Sequence, residues 1–74
     1  MTRLQKINKL SNAIKVYRGA YHPETGKWIR PPQHLRQDRV RAWLEQLGLN
    51  VRESMDRIDE FRNMGEFEKW IRAI

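Results

Sequence analysis

The chain has 74 residues, enough for one small domain but too few to bury a large core. It contains no cysteine, so a disulfide or a thiolate–metal site is excluded. Hydrophobic residues make up 39% and charged residues 32% of the chain, a balance typical of a folded domain. No apolar run approaches the roughly 20 residues that cross a bilayer, and no signal peptide follows Met1. We expect a single cytoplasmic domain over residues 1–74 without a membrane partner.

Four amphipathic segments predict four short helices. The first has apolar residues at steps of three and four, which is the spacing of one buried helix face. These residues are Leu4, Ile7, Leu10, Ile14 and Tyr17. Thr2 is the expected N-cap, and Gly19 ends the helix. The second helix is expected from about Gln33 to Gln46, and Gly48 ends its pattern. Its core-facing residues are Val40, Trp43, Leu44 and Leu47.

Residues 19–32 interrupt the helices, because their Pro and Gly residues exclude continuous helix. The run from Pro23 to Gly26 suits a tight turn, and it is flanked by Tyr21 and Trp28, which favour extended backbone. A short β-hairpin and an ordered loop both fit residues 20–30. We expect Trp28 to anchor this segment in the core.

The last two helices are marked by capping-box patterns, Asn50–Glu53 and Asn63–Glu66. Their apolar faces are Val51, Met55, Ile58 and Phe61 in the third helix, and Phe67, Trp70, Ile71 and Ile74 in the fourth. The turn at Gly48 is typical of a helix-turn-helix, but phosphates would repel the acidic helix that follows. We interpret the pair as an αα-hairpin. The fold class is mostly α, a compact domain in which all four helices share one core and Ile74 is packed.

Catalytic chemistry is the function class that the sequence most readily excludes. The few hydroxyl residues stand in no nucleophile-elbow or triad pattern. His22 and His34 lie twelve residues apart, without carboxylates at a zinc-like spacing. No Gly-rich loop is present to cradle a phosphate, and so short a chain leaves little room for a pocket that excludes water. We expect no enzyme activity, metal, cofactor or small-molecule substrate.

Positive charge is concentrated at the front of the chain. Fifteen Lys and Arg against nine Asp and Glu give a net charge of +6. Up to Arg41 the chain carries ten cations and two anions, a net charge of +8, and the remainder carries five cations and seven anions, a net charge of −2. Such an excess attracts polyanions over about 8–10 Å at physiological salt. We expect these cations to converge into one outward-facing patch.

Nine of the cations are candidate phosphate contacts: Lys6, Lys9, Lys15, Arg18, Lys27, Arg30, Arg36, Arg39 and Arg41. They are interleaved with Tyr21 and Trp28, and a nucleic-acid strand pairs its phosphates with cations and stacks its bases on aromatic rings. Three amides of the first helix, Gln5, Asn8 and Asn12, share a face with lysines and are types that read adenine edges. An ordinary solvated face fits these amides better, because no docking motif accompanies them.

Two functions remain open. The first is a non-catalytic, nucleic-acid-binding or transcription-associated regulatory protein acting through its basic N-terminal half, with DNA favoured over RNA. Its size and charge are typical of small regulators from phage and mobile-element genomes. The alternative is an adaptor or inhibitor that docks on an acidic surface of a larger, nucleic-acid-processing protein, with Tyr21 and Trp28 as interface anchors.

Overall fold

The structure is a computed structural model that describes residues 1–21 and 24–73, with Tyr21 as backbone only. In chain order its elements are α1 (Arg3–Arg18), β1 (Ala20–Tyr21), β2 (Trp28–Arg30), a 3₁₀ turn (His34–Arg36), α2 (Gln37–Gln46), α3 (Val51–Glu60) and α4 (Met64–Ala73). The two strands pair antiparallel, so the segment around residues 20–30 is a hairpin. The predicted fold class, mostly helical with four short helices, is confirmed. Pro23 of the predicted tight turn and Ile74, which was predicted to be packed, lie outside the described residues.

All four helices contribute to one hydrophobic core. Its fully buried members are Leu10, Ile14, Val40, Leu44, Ile58 and Phe67. Burying each of these side chains contributes about 1.5–3 kcal/mol. Near the C-terminus Phe61 packs against Phe67 and Trp70, with ring centroids 6.1 and 5.8 Å away. None of the described helices is both long enough and apolar enough to cross a bilayer.

Two details of the predicted helices are wrong, and both concern helix ends. Leu4 was expected in the core but is 67% exposed. The Lys6 Nζ already reaches the Gln46 carbonyl at the end of α2, 3.4 Å away, so α2 has ended before it could cover Leu4. The second helix begins as α-helix only at Gln37, not at Gln33. The Gln33 N–H donates to the carbonyls of Val16 and Tyr17, which ties this residue to the end of α1.

The predicted N-caps are confirmed at the start of three helices. Asn50 Oδ1 accepts from the Glu53 N–H at 3.0 Å, and Asn63 Oδ1 accepts from the Glu66 N–H at 3.1 Å. At Thr2 the cap is a reciprocal capping box, because the Gln5 side chain also accepts from the Thr2 N–H at 2.9 Å. These bonds satisfy backbone donors that a helix N-terminus otherwise leaves without partners.

Gly19 joins the end of α1 to the hairpin. Its N–H donates to the Lys15 carbonyl at 3.0 Å, and its φ of +69° and ψ of −170° lie in a region that only glycine readily adopts. A Cβ at this position would stand 2.5 Å from the Arg30 carbonyl oxygen and 2.6 Å from the Pro32 nitrogen. The missing side chain therefore lets the backbone after β2 pass directly against the end of α1.

Candidate nucleic-acid interface

An open groove of about 490 Å³ runs between α1 and α2. We call it the α1–α2 groove, and its lining residues are Lys9, Asn12, Ala13, Val16, Arg36, Arg39, Ala42 and Trp43. Four of these side chains are apolar, three are cationic and one is an amide. The groove thus combines apolar and cationic side chains.

The groove forms because two helix faces with complementary spacing meet. On α1 the lining positions 9, 12, 13 and 16 are separated by three, one and three residues, a spacing that places them on one helix face. On α2 positions 39, 42 and 43 are separated by three residues and one, and they also share a face. The helices run antiparallel, since Lys6 lies near Gln46 and Val16 lies near Gln33. Arg36, in the 3₁₀ turn, is thereby brought to the same groove as Lys9, although the two are far apart in sequence.

The positive charge of the groove is not neutralised within the described part of the chain. Its lining includes no carboxylate, and Lys9, Arg36 and Arg39 are exposed. Arg36 Nε donates to the Gln33 side-chain carbonyl at 3.5 Å, a contact with a neutral acceptor. The three cations are therefore available to an external anion.

A second basic cleft, of about 420 Å³, lies where the hairpin meets the end of α1. We call it the hairpin cleft, and the charged and aromatic residues that line it are Lys15, Arg18, Trp28, Arg30 and Arg62. The expectation that Trp28 anchors the core is wrong, because its side chain is 53% exposed. The strand that carries it is only three residues long and has every side chain exposed, so the core is built without it.

The wall of the hairpin cleft is fixed by contacts between α1 and the end of α3. The Tyr17 hydroxyl donates to Asp59 Oδ1 at 2.9 Å, and the Arg18 guanidinium donates through Nη2 to the Phe61 carbonyl. Burial raises the pKa of the Tyr17 hydroxyl, and the hydrogen bond to Asp59 and its negative charge raise it further. The His34 ring packs edge-on against Tyr17, with centroids 5.6 Å apart.

The nine candidate cations do not share one patch. Lys9, Arg36 and Arg39 line the α1–α2 groove, whereas Lys15, Arg18 and Arg30 line the hairpin cleft. At about 100° per residue, Lys9 and Lys15 project from α1 about 120° apart, which explains the division. The expectation of a single patch is replaced by two separate basic clefts.

Three of the predicted cations and two of the predicted amides line neither cleft. Lys6 donates to the last turn of α2, and Lys27 stands in the exposed loop of the hairpin. Arg41 is exposed, and its charge acts on the Tyr17 hydroxyl. Of the three amides Asn12 lines the α1–α2 groove, Asn8 is exposed beside it, and Gln5 is used in the capping box. The side chain of Tyr21 lies outside the described residues.

Among the aromatic and cationic residues that line the clefts, two were not predicted as contacts. Trp43 was assigned to the core, but it is half-buried and forms a wall of the α1–α2 groove. Its helical spacing is that of a core residue, so sequence periodicity could not distinguish the two positions. Arg62 belongs to the short link between α3 and α4, and no motif marks it. It reaches the hairpin cleft only because α3 returns to the end of α1.

The acidic half of the chain forms a different surface. A third cleft, along α3, includes Glu53 and Asp56 in its lining, together with Arg57 and Trp70. Two acidic residues of the second half of the chain therefore line a cleft that is separate from both basic clefts. Among the described residues no group of three or more acidic, His or Cys side chains is arranged to hold a metal ion.

Comparisons with protein-family models, curated proteins and solved structures found no match to this chain.

Proposed function

We propose that this chain is a non-catalytic nucleic-acid-binding module that holds a phosphodiester backbone in the α1–α2 groove. The observation that supports this most strongly is the convergence of Lys9, Arg36 and Arg39 on one open groove, whose described lining residues include no carboxylate. Arg and Lys are the main phosphate-binding side chains, and exposed cations without ion-pair partners do not have to break an internal contact before binding.

The mechanism is neutralisation of phosphates with release of the counterions that surround nucleic acid. Each phosphate contact contributes about −0.9 to the slope of log affinity against log salt for duplex DNA, and about −0.7 for a single strand. The three groove cations therefore account for a slope of about −2.7 on a duplex. Asn12, between Lys9 and Val16 on the same face of α1, is positioned to donate to a phosphate or a base edge.

The test is a salt titration of DNA and RNA binding by fluorescence anisotropy, beginning at about 50 mM salt. The Lys9→Gln/Arg36→Gln/Arg39→Gln variant removes the groove charge, and the slope on duplex DNA is expected to fall in magnitude by about two to three units. The sequence of the oligonucleotide should change this loss little, because phosphate contacts carry no sequence information.

A control variant with the same loss of charge separates a local effect from a general one. Arg52→Gln/Arg57→Gln/Arg72→Gln also lowers the net charge by three, but its sites are exposed on α3 and α4. We expect this control to change the slope by less than about one unit. Equal losses in the two triple variants, or no binding of DNA or RNA by the wild type at low salt, would overturn the proposal.

One observation favours the alternative, an adaptor that docks on an acidic protein surface. Leu35 is 94% exposed beside Arg36, and the α1–α2 groove is lined by apolar and cationic side chains, a combination that suits an acidic amphipathic segment. This alternative predicts capture of a protein partner that persists after nuclease treatment and weakens in the Leu35→Ser variant. The nucleic-acid function predicts that nuclease removes any captured material.

A further inference from the structure

The hairpin cleft combines four cations with an exposed indole ring. Lys15 and Arg18 come from α1, Arg30 from β2 and Arg62 from the link before α4. Neither Asp nor Glu is among the described residues that line it. Three separate segments thus direct positive charge to one small space, next to the ring of Trp28.

The Arg18 guanidinium supplies the strongest sign that this space accepts an anion. Its Nη2 donates to the Phe61 carbonyl, but its Nη1 is shielded from solvent and has no hydrogen-bond partner in the described part of the chain. A buried donor without an acceptor is unfavourable, and buried polar groups in proteins are nearly always paired. An anion in the cleft would be surrounded by the other cations, and it would provide the missing acceptor once the guanidinium turned its shielded Nη1 toward the cleft.

Trp28 extends this anion site into a nucleotide site. The side chain is large and apolar, yet about half of it faces solvent at the edge of the cleft. Bases stack on exposed aromatic rings in single-strand-binding proteins, and cations alongside bind the connecting phosphates. A base in the interior of a duplex is already stacked on both faces, so an unpaired base covers the indole more readily.

We infer that the hairpin cleft binds an unpaired nucleotide, with its base on Trp28 and its phosphate between Arg18, Arg30 and Arg62. The inference rests on the proposed nucleic-acid function and adds a preference for a particular form of substrate. A strand held in the α1–α2 groove and a base held in the hairpin cleft favour nucleic acid with a single-stranded tail or loop over a blunt duplex.

The test compares three labelled ligands at constant low salt: a short blunt duplex, the same duplex with a single-stranded tail, and the tailed duplex with abasic sites in place of the tail bases. Wild-type protein should bind the tailed duplex about 5- to 100-fold more tightly than the blunt one, the range expected for one stacked base. The abasic tail should lose most of this gain, because it keeps the phosphates and lacks the bases.

Variants assign the gain to the cleft. Trp28→Ala should remove the preference for the tailed duplex, whereas Trp28→Phe should retain part of it. Ile29→Ala is the matched control, since Ile29 is the next residue of β2, is 65% exposed and does not line the cleft. Arg62→Gln should weaken binding of the normal and abasic tails equally, and Arg72→Gln, its control on α4, should weaken neither.

The outcomes distinguish this inference from the proposed function. Binding of blunt and tailed duplexes with equal affinity would overturn the nucleotide site and leave the α1–α2 groove in place. Absence of binding to all three ligands would overturn both. A preference for the tail that survives Trp28→Ala would also refute the inference, because the unpaired base would then be recognised elsewhere.

Discussion

Replacing Gly19 by alanine tests the backbone approach that joins α1 to the hairpin. Two costs are expected. The first is conformational, because φ +69° with ψ −170° is strained for any L side chain by about 1–3 kcal/mol. The second is steric, because the new Cβ would lie 2.5–2.8 Å from three backbone atoms of Arg30, Pro31 and Pro32. Backbone cannot rotate away as a side-chain tip can, and forced overpacking costs about 1–3 kcal/mol.

Gly48 provides the matched control. Its φ is +73°, but a Cβ there would meet no atom within 4 Å. Gly48→Ala should therefore show the conformational cost alone, about 1–2 kcal/mol. The difference between the two variants contains the steric cost at Gly19 together with any greater backbone strain of its φ/ψ region. We expect Gly19→Ala to lower the free energy of unfolding by about 2 kcal/mol more than Gly48→Ala.

The assay is urea unfolding followed by tryptophan fluorescence and far-UV circular dichroism. A 74-residue domain has a total stability of about 4–11 kcal/mol, so the expected loss is a large fraction of it. An extra loss of about 2 kcal/mol lowers Tm by about 8–16 °C for a domain of this size. Equal destabilisation by Gly19→Ala and Gly48→Ala would refute the close approach of α1 to the chain after β2.

The remaining predictions concern one hydrogen bond and one cap. Tyr17→Phe should destabilise by about 1 kcal/mol through loss of the bond to Asp59. Because folding raises the pKa of Tyr17, the neutral hydroxyl stabilises the fold fully below its ordinary pKa of 10.0, and this stabilisation is lost as pH rises through the folded-state pKa. The urea midpoint of Tyr17→Phe should therefore fall less steeply above pH 10 than that of the wild type. Equally steep declines in the two proteins would contradict this. Asn50→Ala should lower the free energy of unfolding by about 1 kcal/mol, and Asn50→Asp should lower it very little, because either Asn or Asp accepts from the Glu53 N–H. If both variants lowered the urea midpoint equally, the N-cap would be excluded as the cause.

Periodicity and cap chemistry were sufficient to predict the helices. The stripe around Leu10 and Ile14 and the caps at Asn50 and Asn63 are local patterns, and local patterns survive folding because they depend on neighbours within one or two turns. Leu4 fits the same stripe but is exposed, since its burial depends on where α2 ends. The position where α2 ends relative to Leu4 depends on how α1 and α2 pack together. The apolar pattern within α1 carries no information about it.

The candidate interface was predicted in composition and not in arrangement. Sequence alone identified Lys9, Arg36 and Arg39, but their meeting in one groove follows from the antiparallel packing of α1 on α2. The exposure of Trp28 was not predictable either. An aromatic residue in a short strand can face the core or solvent, and the choice depends on whether the helices already fill the core.

The two basic clefts differ in how strongly the fold holds them. The α1–α2 groove depends mainly on the packing of two helices, whose buried residues Ile14 and Leu44 belong to the same core. The hairpin cleft needs several specific contacts. Arg30 lines the same cleft as Arg18 because Gly19 lets the chain after β2 pass against the end of α1. Arg62 lines it because α3 is held to α1. The cleft also leaves the Trp28 ring half exposed and the buried Arg18 Nη1 without an acceptor among the described residues, which reduces stability unless a ligand is bound. This cost is the physical reason to look for a ligand of the hairpin cleft first.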